Sequence, residues 1–247
     1  MKKILFLAFT WAVALCMTSC QDDSYLEDSG KHNPYYEGSI YDYLKAHPDK
    51  NYFTKLIDII DYAGLADVLN QDTVTFFAPT DWSIQHSVDA LSRQLYKHMG
   101  QDSIRNLHQI KPEVWRKFLN EYIIRDKYTL KDIPQIDTTK VEAYPGQGYY
   151  SLGGTPMNVG VVYYDAAGVK YAGARQIIYS YVIDPQKYEF INAYVATSDI
   201  QPRNGVLHVI RWIDHTFGFS EQRFVSAALT AGILKEQDVE SFKDQKQ

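Results

Sequence analysis

The sequence predicts a fold that combines α-helices, mostly in the first half of the chain, with β-strands, mostly in the second. In residues 51–63 the apolar side chains Phe53, Leu56 and Ile60 recur at helical spacing. After Tyr144 the pattern changes to short β-rich runs that are separated by glycine-containing turn signals. These two patterns place the chain among mixed proteins rather than among all-α or all-β proteins.

The first helix is expected to end at Gly64, and residues 65–69 are expected to add a short second helical turn. Residues 74–78 then form a β-rich run that Pro79 terminates. Thr80 is placed to cap the next helix, and Asp81 suits the positive end of that helix. The alternative role of Thr80, as a nucleophile, lacks a base at any recognised spacing.

The middle of the chain predicts two more helices. In residues 86–111 the apolar pattern indicates an extended helix followed by an inserted loop. Pro112 then suits the first position of a helix that carries Trp115 and Phe118 on one face. Tyr122 continues this face, and it is expected to be a core residue whose hydroxyl lies near the surface.

The second half predicts strands at residues 159–164, 177–183 and 190–197, with an added hairpin between Arg175 and Tyr194. Residues 206–210 are apolar on both faces, which is typical of a buried central strand. His208 lies in this run. A neutral, hydrogen-bonded core imidazole is the favoured interpretation, and a metal ligand is the alternative.

Two segments resemble the signature motifs of the fasciclin domain, in the order in which that family carries them. The first is Thr75-Phe76-Phe77-Ala78-Pro79-Thr80, and the second is Asn204-Gly205-Val206-Leu207-His208-Val209-Ile210. The resemblance covers residues 36–216 with an enlarged middle. It implies an α+β fold, a wedge of two small β-sheets with helices packed along one side, and a general role in extracellular adhesion or ligand binding. In these motifs we expect structural roles for Thr75, Phe77, Pro79, Thr80, Asn204, Gly205 and His208.

The N-terminus resembles the signal of a bacterial lipoprotein. Lys2 and Lys3 precede an apolar run that is too short to span a bilayer, and the segment ends at Cys20. The expected order is a signal peptide at 1–19, a flexible tether at 20–35, the domain at 36–216 and a helical tail at 217–247. The tail is either a terminal helix or the vestige of a second repeat.

Cys20 is the expected lipidation site, and the alternative is an ordinary secretory signal with an incidental cysteine. Lipidation predicts a cell-envelope protein of the outer membrane, held on the membrane through its lipid. The acidic residues Asp22 and Asp23 resemble the surface-export signals of Bacteroidota lipoproteins. Display on the cell surface and a periplasm-facing position remain open alternatives.

Composition excludes several classes of function. The formal net charge is −5, and it becomes more negative once Lys2 and Lys3 are removed, so nucleic acid is not an expected partner. The only cysteines are Cys16 and Cys20, which leaves no thiol for catalysis or zinc binding if Cys20 is acylated. No catalytic, cofactor or metal motif is recognisable. We therefore predict a protein that is not an enzyme, has no cofactor and binds no metal.

Tyrosine is abundant, with 20 residues, and the strand tyrosines are the candidate ligand surface. Neighbouring side chains of a strand face opposite ways, so one member of each adjacent pair is expected to be exposed. Cross-strand packing is the alternative role for each of them. The candidates are Tyr149, Tyr150, Tyr163, Tyr164, Tyr179 and Tyr181.

Three functions compete at this point. The first is an anchored adhesion module that binds a protein or matrix partner. The second is a glycan-binding accessory lipoprotein of an outer-membrane polysaccharide uptake system. The third is a structural envelope protein without a soluble ligand. The sequence does not identify the ligand or the oligomeric state.

Overall fold

The computed structural model describes residues 33–47 and 52–239. The described residues from Tyr35 onward belong to one compact unit. The predicted signal peptide at 1–19, the lipidation site Cys20 and most of the predicted tether lie outside the described residues, as do the last eight residues of the tail.

Six α-helices are present in the described part of the chain. They are α1 (Ile40–Ala46), α2 (Thr54–Ala63), α3 (Ala66–Gln71), α4 (Asp81–Met99), α5 (Pro112–Leu119) and α6 (Glu221–Ala231). The predicted first helix is α2, and it ends as expected at Gly64, whose φ of 66° is left-handed. The predicted second turn is α3.

The described part of the chain also contains eight β-strands. They are β1 (Tyr35–Tyr36), β2 (Val74–Ala78), β3 (Ile123–Arg125), β4 (Gln147–Tyr150), β5 (Pro156–Tyr163), β6 (Arg175–Asp184), β7 (Glu189–Pro202) and β8 (Gly205–Ile210). The expected added hairpin is β6–β7, and the expected central strand is β8, which is buried along its whole length.

The strands run in the order β3-β2-β8-β7-β6-β5-β4, with β1 parallel to the end of β7. One sheet contains β3, β2, β8 and the second half of β7, and the other contains the first half of β7, β6, β5 and β4. The register of β7 against β8 shifts twice between Val195 and Ile200, where β7 passes from one sheet to the other. The most extensive helix contacts are α2–α5 and α4–α6, and α1 also packs on α3, α2 on α4 and α5 on α6. The predicted α+β fold is confirmed.

The two motif segments form neighbouring parallel strands, β2 and β8, at the centre of the first sheet. Asn204 fixes the start of β8, because its side chain accepts the N–H of Ile40 (2.9 Å) and donates to the carbonyls of Leu69 and Asp72. A Cβ atom at Gly205 would lie 2.1 Å from the carbonyl oxygen of Val74, so only glycine allows this approach.

The remaining motif residues are also buried. The Thr75 hydroxyl donates to the Asp126 carbonyl and accepts the N–H of Tyr128, both at 2.8 Å, and so ties β2 to the chain that follows β3. Pro79 is buried at the end of β2. Thr80 has the backbone geometry of an N-cap, but its side chain makes no capping hydrogen bond. Its hydroxyl instead faces that of Ser83 at 3.4 Å. The expected N-cap position of Thr80 is therefore confirmed, and the expected capping by its hydroxyl is wrong.

An aromatic cluster lies between α5, α6 and the segment that precedes α6. Trp115 and Phe118 are fully buried, as the helical spacing predicts. Tyr122 is also fully buried, as expected of a core residue. Its hydroxyl was expected to lie near the surface, and this expectation is wrong, because the hydroxyl is buried as well. The hydroxyl oxygen accepts the N–H of Gly218 (2.8 Å) and pairs with Nε2 of His215 (2.9 Å), which closes the cluster around it.

Candidate functional site

The sheet formed by β4, β5, β6 and the first half of β7 sorts the candidate tyrosines onto two faces. Tyr149, Tyr163 and Tyr181 pack against the core on the inner face and are half-buried. Tyr150 and Tyr164 are 76% and 43% exposed. One member of each adjacent pair is therefore exposed, as the alternation of side chains along a strand predicts.

Tyr179 is fully buried, so its expected place on a ligand surface is wrong. Its ring stacks on that of Phe77, with centroids 3.9 Å apart and planes 3° apart, and its hydroxyl donates to the carbonyl of Glu121. The sequence predicts that Tyr179 and Tyr181 share a face, and they do. That face, however, is the one that covers the first sheet.

The other tyrosines do not converge on one surface. The Tyr149 ring meets that of Tyr128 edge-on, with centroids 4.9 Å apart. The guanidinium of Arg175 lies over the Tyr163 ring at 4.7 Å. Tyr164 and Tyr163 lie at the opposite end of β5 from Tyr150, and the Tyr164 hydroxyl donates to Gln176.

Tyr181 is held in a different way, by a charged neighbour. Arg223 places its guanidinium 3.7 Å from the centre of the Tyr181 ring. The same guanidinium forms two hydrogen bonds, at 2.7 and 3.1 Å, with the buried carboxylate of Glu121. Burial raises the pKa of Glu121, and the hydrogen bonds from Arg223 oppose that rise. Tyr181 is thus part of a packed network.

Tyr150 borders a groove of about 420 Å³ on the outer face of the second sheet. The aromatic groove, as we call it, has Tyr150, Tyr188 and Phe190 as its outer-face aromatic residues. Tyr149, which packs against the core, also lines it, and no charged side chain does. Phe190 pairs with Val182 across β6 and β7, and Tyr188 lies in the turn just before β7. The prolines that line it are Pro145, Pro156 and Pro185.

The amide side chain that lines the aromatic groove already has a partner. The Asn158 side chain donates to the carbonyl of Pro145 (3.0 Å), which also lines the groove. Because this amide is held in place, this part of the groove is ordered before any ligand arrives. The arrangement suits an apolar or proline-containing segment better than a charged one.

The sequence analysis missed a second aromatic surface, formed by Trp82 and Trp212. These side chains are 59% and 47% exposed, and their rings lie 5.7 Å apart. Trp82 follows β2 and Trp212 follows β8, which are parallel neighbours, so both fall at the same edge of the first sheet. The helical period of α4 could have predicted the exposure of Trp82. Ile84 and Val88 define the buried face of this helix, and Trp82 does not lie on that face.

His208 lies inside the domain with both ring nitrogens in hydrogen bonds. Nδ1 accepts the N–H of Asp199 (3.2 Å), so Nε2 carries the proton and donates to the carbonyl of Tyr128 (2.9 Å). Burial lowers the pKa of His208, which keeps the ring neutral. Neither nitrogen is open to a metal ion. No cluster of three or more His, Cys, Asp or Glu side chains fit to hold a metal occurs in the described ranges.

A family model described as the Fasciclin domain matches residues 51–213. The chain belongs to the fasciclin domain family. Fasciclin domains are generally non-enzymatic adhesion or binding modules, and no enzymatic family is indicated for this chain.

The chain is also similar to a solved pair of FAS1 domains from the insect cell adhesion molecule fasciclin I. That match has a TM-score of 0.47 and 15% identity, and it covers 76% of this chain and 52% of the insect chain. The chain thus aligns with about half of the insect structure. No curated protein matches the chain. Within residues 33–47 and 52–239, no helix has the length and apolar character needed to cross a membrane.

Proposed function

We propose that this fasciclin domain is an adhesion module of the cell envelope, held by a lipid on Cys20, that binds a protein partner through the aromatic groove. The observation that carries the proposal is the charge-free groove bordered by Tyr150, Tyr188 and Phe190. Exposed aromatic side chains provide large contact area with few rotatable bonds, and such residues dominate protein interfaces.

The partner fits the chemistry of the groove. Rings and prolines line it, and the chain as a whole has a net negative charge. An apolar or proline-containing segment buries its surface there without leaving a charge unpaired. The partner class is therefore a protein that presents such a segment in an accessible loop or tail.

The anchoring part of the proposal is tested by Cys20→Ser. This variant is expected to remain unprocessed or to leave the membrane fraction, because lipid attachment needs the thiol. The measurement is detergent partitioning together with metabolic labelling by a fatty-acid analogue. Labelled, fully membrane-bound Cys20→Ser protein would contradict the proposed anchor.

The binding part is tested on the chain from Gln21 onward, against an array of matrix and envelope proteins. Tyr150→Ala and Tyr188→Ala are expected to weaken binding to any captured partner by about 1–2 kcal/mol each. Their melting temperatures are expected to stay nearly constant, because exposed substitutions change stability by about 0.5 kcal/mol or less.

The matched control is Tyr96→Ala, which removes a tyrosine ring from α4, outside the aromatic groove; Tyr96 is 70% exposed, close to the 76% of Tyr150. It is expected to bind as the wild type does. Equal loss of binding in all three variants, or none in the two groove variants, would overturn the assignment of the groove.

The uptake-system alternative makes a different prediction about the genome. An accessory protein of polysaccharide import is expected to be encoded beside importer and glycoside hydrolase genes, whereas an adhesion module is not. Inspecting the neighbouring genes separates these two roles whatever the array returns.

A further inference from the structure

Trp82 and Trp212 form an exposed aromatic platform. Burying an indole is favourable because it removes a large apolar area from water. Here two indoles lie in contact, and about half of each side chain remains exposed. Tyr52 is 42% exposed, and its carbonyl accepts the N–H of Asp81, the residue before Trp82. Two exposed indoles that lie side by side, rather than scattered singly, are the kind of surface that recognises a ligand.

A cavity of about 250 Å³ adjoins Trp82. The other side chains that line it are Thr54, Lys55, Asp81 and Gln85. Together they supply an ammonium donor, a carboxylate acceptor, and a hydroxyl and an amide that each donate and accept. The cavity therefore presents mixed hydrogen-bonding groups around one aromatic wall.

The carboxylate of Asp81 faces the first backbone N–H groups of α2, those of Thr54, Lys55 and Leu56. Its Oδ1 accepts the N–H of Leu56 (3.0 Å). Its Oδ2 has no hydrogen-bond partner of its own among the described residues, although the residue is only 3% exposed and lines the cavity. A buried acceptor without a donor is costly, so a ligand that supplies a hydroxyl here removes that cost.

The ligand class follows from these groups. A sugar ring has one face of C–H groups, which packs on an indole, and a rim of hydroxyls that both donate and accept. The cavity is smaller than the roughly 300–1,000 Å³ of sites for drug-sized ligands, which suits a single ring. The indole of Trp212 beside it offers a surface for the next ring. Because the chain is acidic, an uncharged sugar is favoured over an anionic one.

We propose that Trp82, Asp81 and their neighbours form a saccharide subsite that takes one monosaccharide unit of a neutral oligosaccharide, with Trp212 stacking on the adjoining unit. This subsite is separate from the aromatic groove and depends on neither the groove nor the lipid anchor. It gives this fasciclin domain a second ligand class.

The test measures binding of cellohexaose, mannohexaose and xylohexaose to the chain from Gln21 onward, by calorimetry and by tryptophan fluorescence. At least one is expected to bind, and Trp82→Ala is expected to weaken that binding at least about tenfold, the loss typical of a central aromatic contact. Trp82→Tyr is expected to retain part of the affinity. Trp212→Ala is expected to weaken binding of the hexasaccharide more than binding of the matching monosaccharide.

Asp81→Asn is the second variant, because it keeps an oxygen that can cap α2 while removing the charge. It is expected to weaken binding with an unchanged melting temperature, and Tyr150→Ala is expected to bind sugar normally. Absence of binding to all three hexasaccharides at millimolar concentration, or normal binding by Trp82→Ala, would overturn the subsite. Neither outcome bears on protein binding by the aromatic groove.

Discussion

Trp115 and Trp82 are the same residue type in opposite environments. Trp115 is fully buried, its indole N–H donates to the carbonyl of Leu107 (3.1 Å), and its ring lies within 6 Å of those of Phe217 and Phe224. Trp82 is mostly exposed, and its nearest ring belongs to another exposed tryptophan. The first indole stabilises the fold. The second contributes little to it, and so it is available for recognition.

The largest effect is expected at the buried member of this pair. Trp115→Ala is expected to lower the free energy of unfolding by about 3–5 kcal/mol, because it opens a cavity in the aromatic cluster and leaves the Leu107 carbonyl without its donor. Urea denaturation measures the loss. A loss below about 1 kcal/mol would show that the cluster is loosely packed, and the contrast with Trp82 would disappear.

The aromatic cluster also predicts a pH dependence, through His215. Burial lowers the pKa of His215 to about 3, while the nearby Asp214 carboxylate raises it slightly. The unfolded chain binds a proton at this histidine near pH 6.5, and the folded chain does not. The contribution of His215 to stability is therefore complete above pH 6.5 and is lost as the pH falls from there toward 3.

As the pH falls below the unfolded pKa, each buried neutral histidine lowers the free energy of unfolding by up to about 1.4 kcal/mol per pH unit. The pKa of His208 is also lowered by burial, so the two effects add. Denaturation between pH 6.5 and about 5.5 tests this before most carboxylates titrate. His215→Gln is expected to flatten the slope, and the exposed His98→Gln serves as its control. A flat wild-type profile would contradict the buried, neutral assignment.

Which side chains are buried and which are exposed could be predicted from the sequence wherever the pattern is local. Helical spacing identified the buried face of α5, including Trp115, and the two motif segments identified the central strands β2 and β8. Alternation along a strand also predicted that Tyr149 and Tyr150 face opposite ways. These features depend on local periodicity, which the sequence displays directly.

The failures concern relations between distant elements. Tyr179 and Tyr181 share a face, but the sequence does not show that this face meets Phe77 and the first sheet. The aromatic groove joins Tyr150 to Tyr188 through the pairing of four strands, which no local pattern reveals. The cavity beside Trp82 likewise needs α2 and α4 to meet, so that Asp81 of one helix reaches Leu56 of the other.

The smallest effect on stability is expected at Trp82. Trp82→Ala is expected to change the free energy of unfolding by about 0.5 kcal/mol or less, because the side chain is 59% exposed and its neighbouring ring belongs to another exposed tryptophan. The matched measurement compares urea denaturation of Trp82→Ala, Trp212→Ala and the double variant. The two single losses are expected not to add, since either substitution removes the one contact that the indoles share. If Trp82→Ala lost as much stability as Trp115→Ala, the contact between Trp82 and Trp212 would be holding the edge of the first sheet together. The inference that exposure leaves these indoles available for a ligand would then fail.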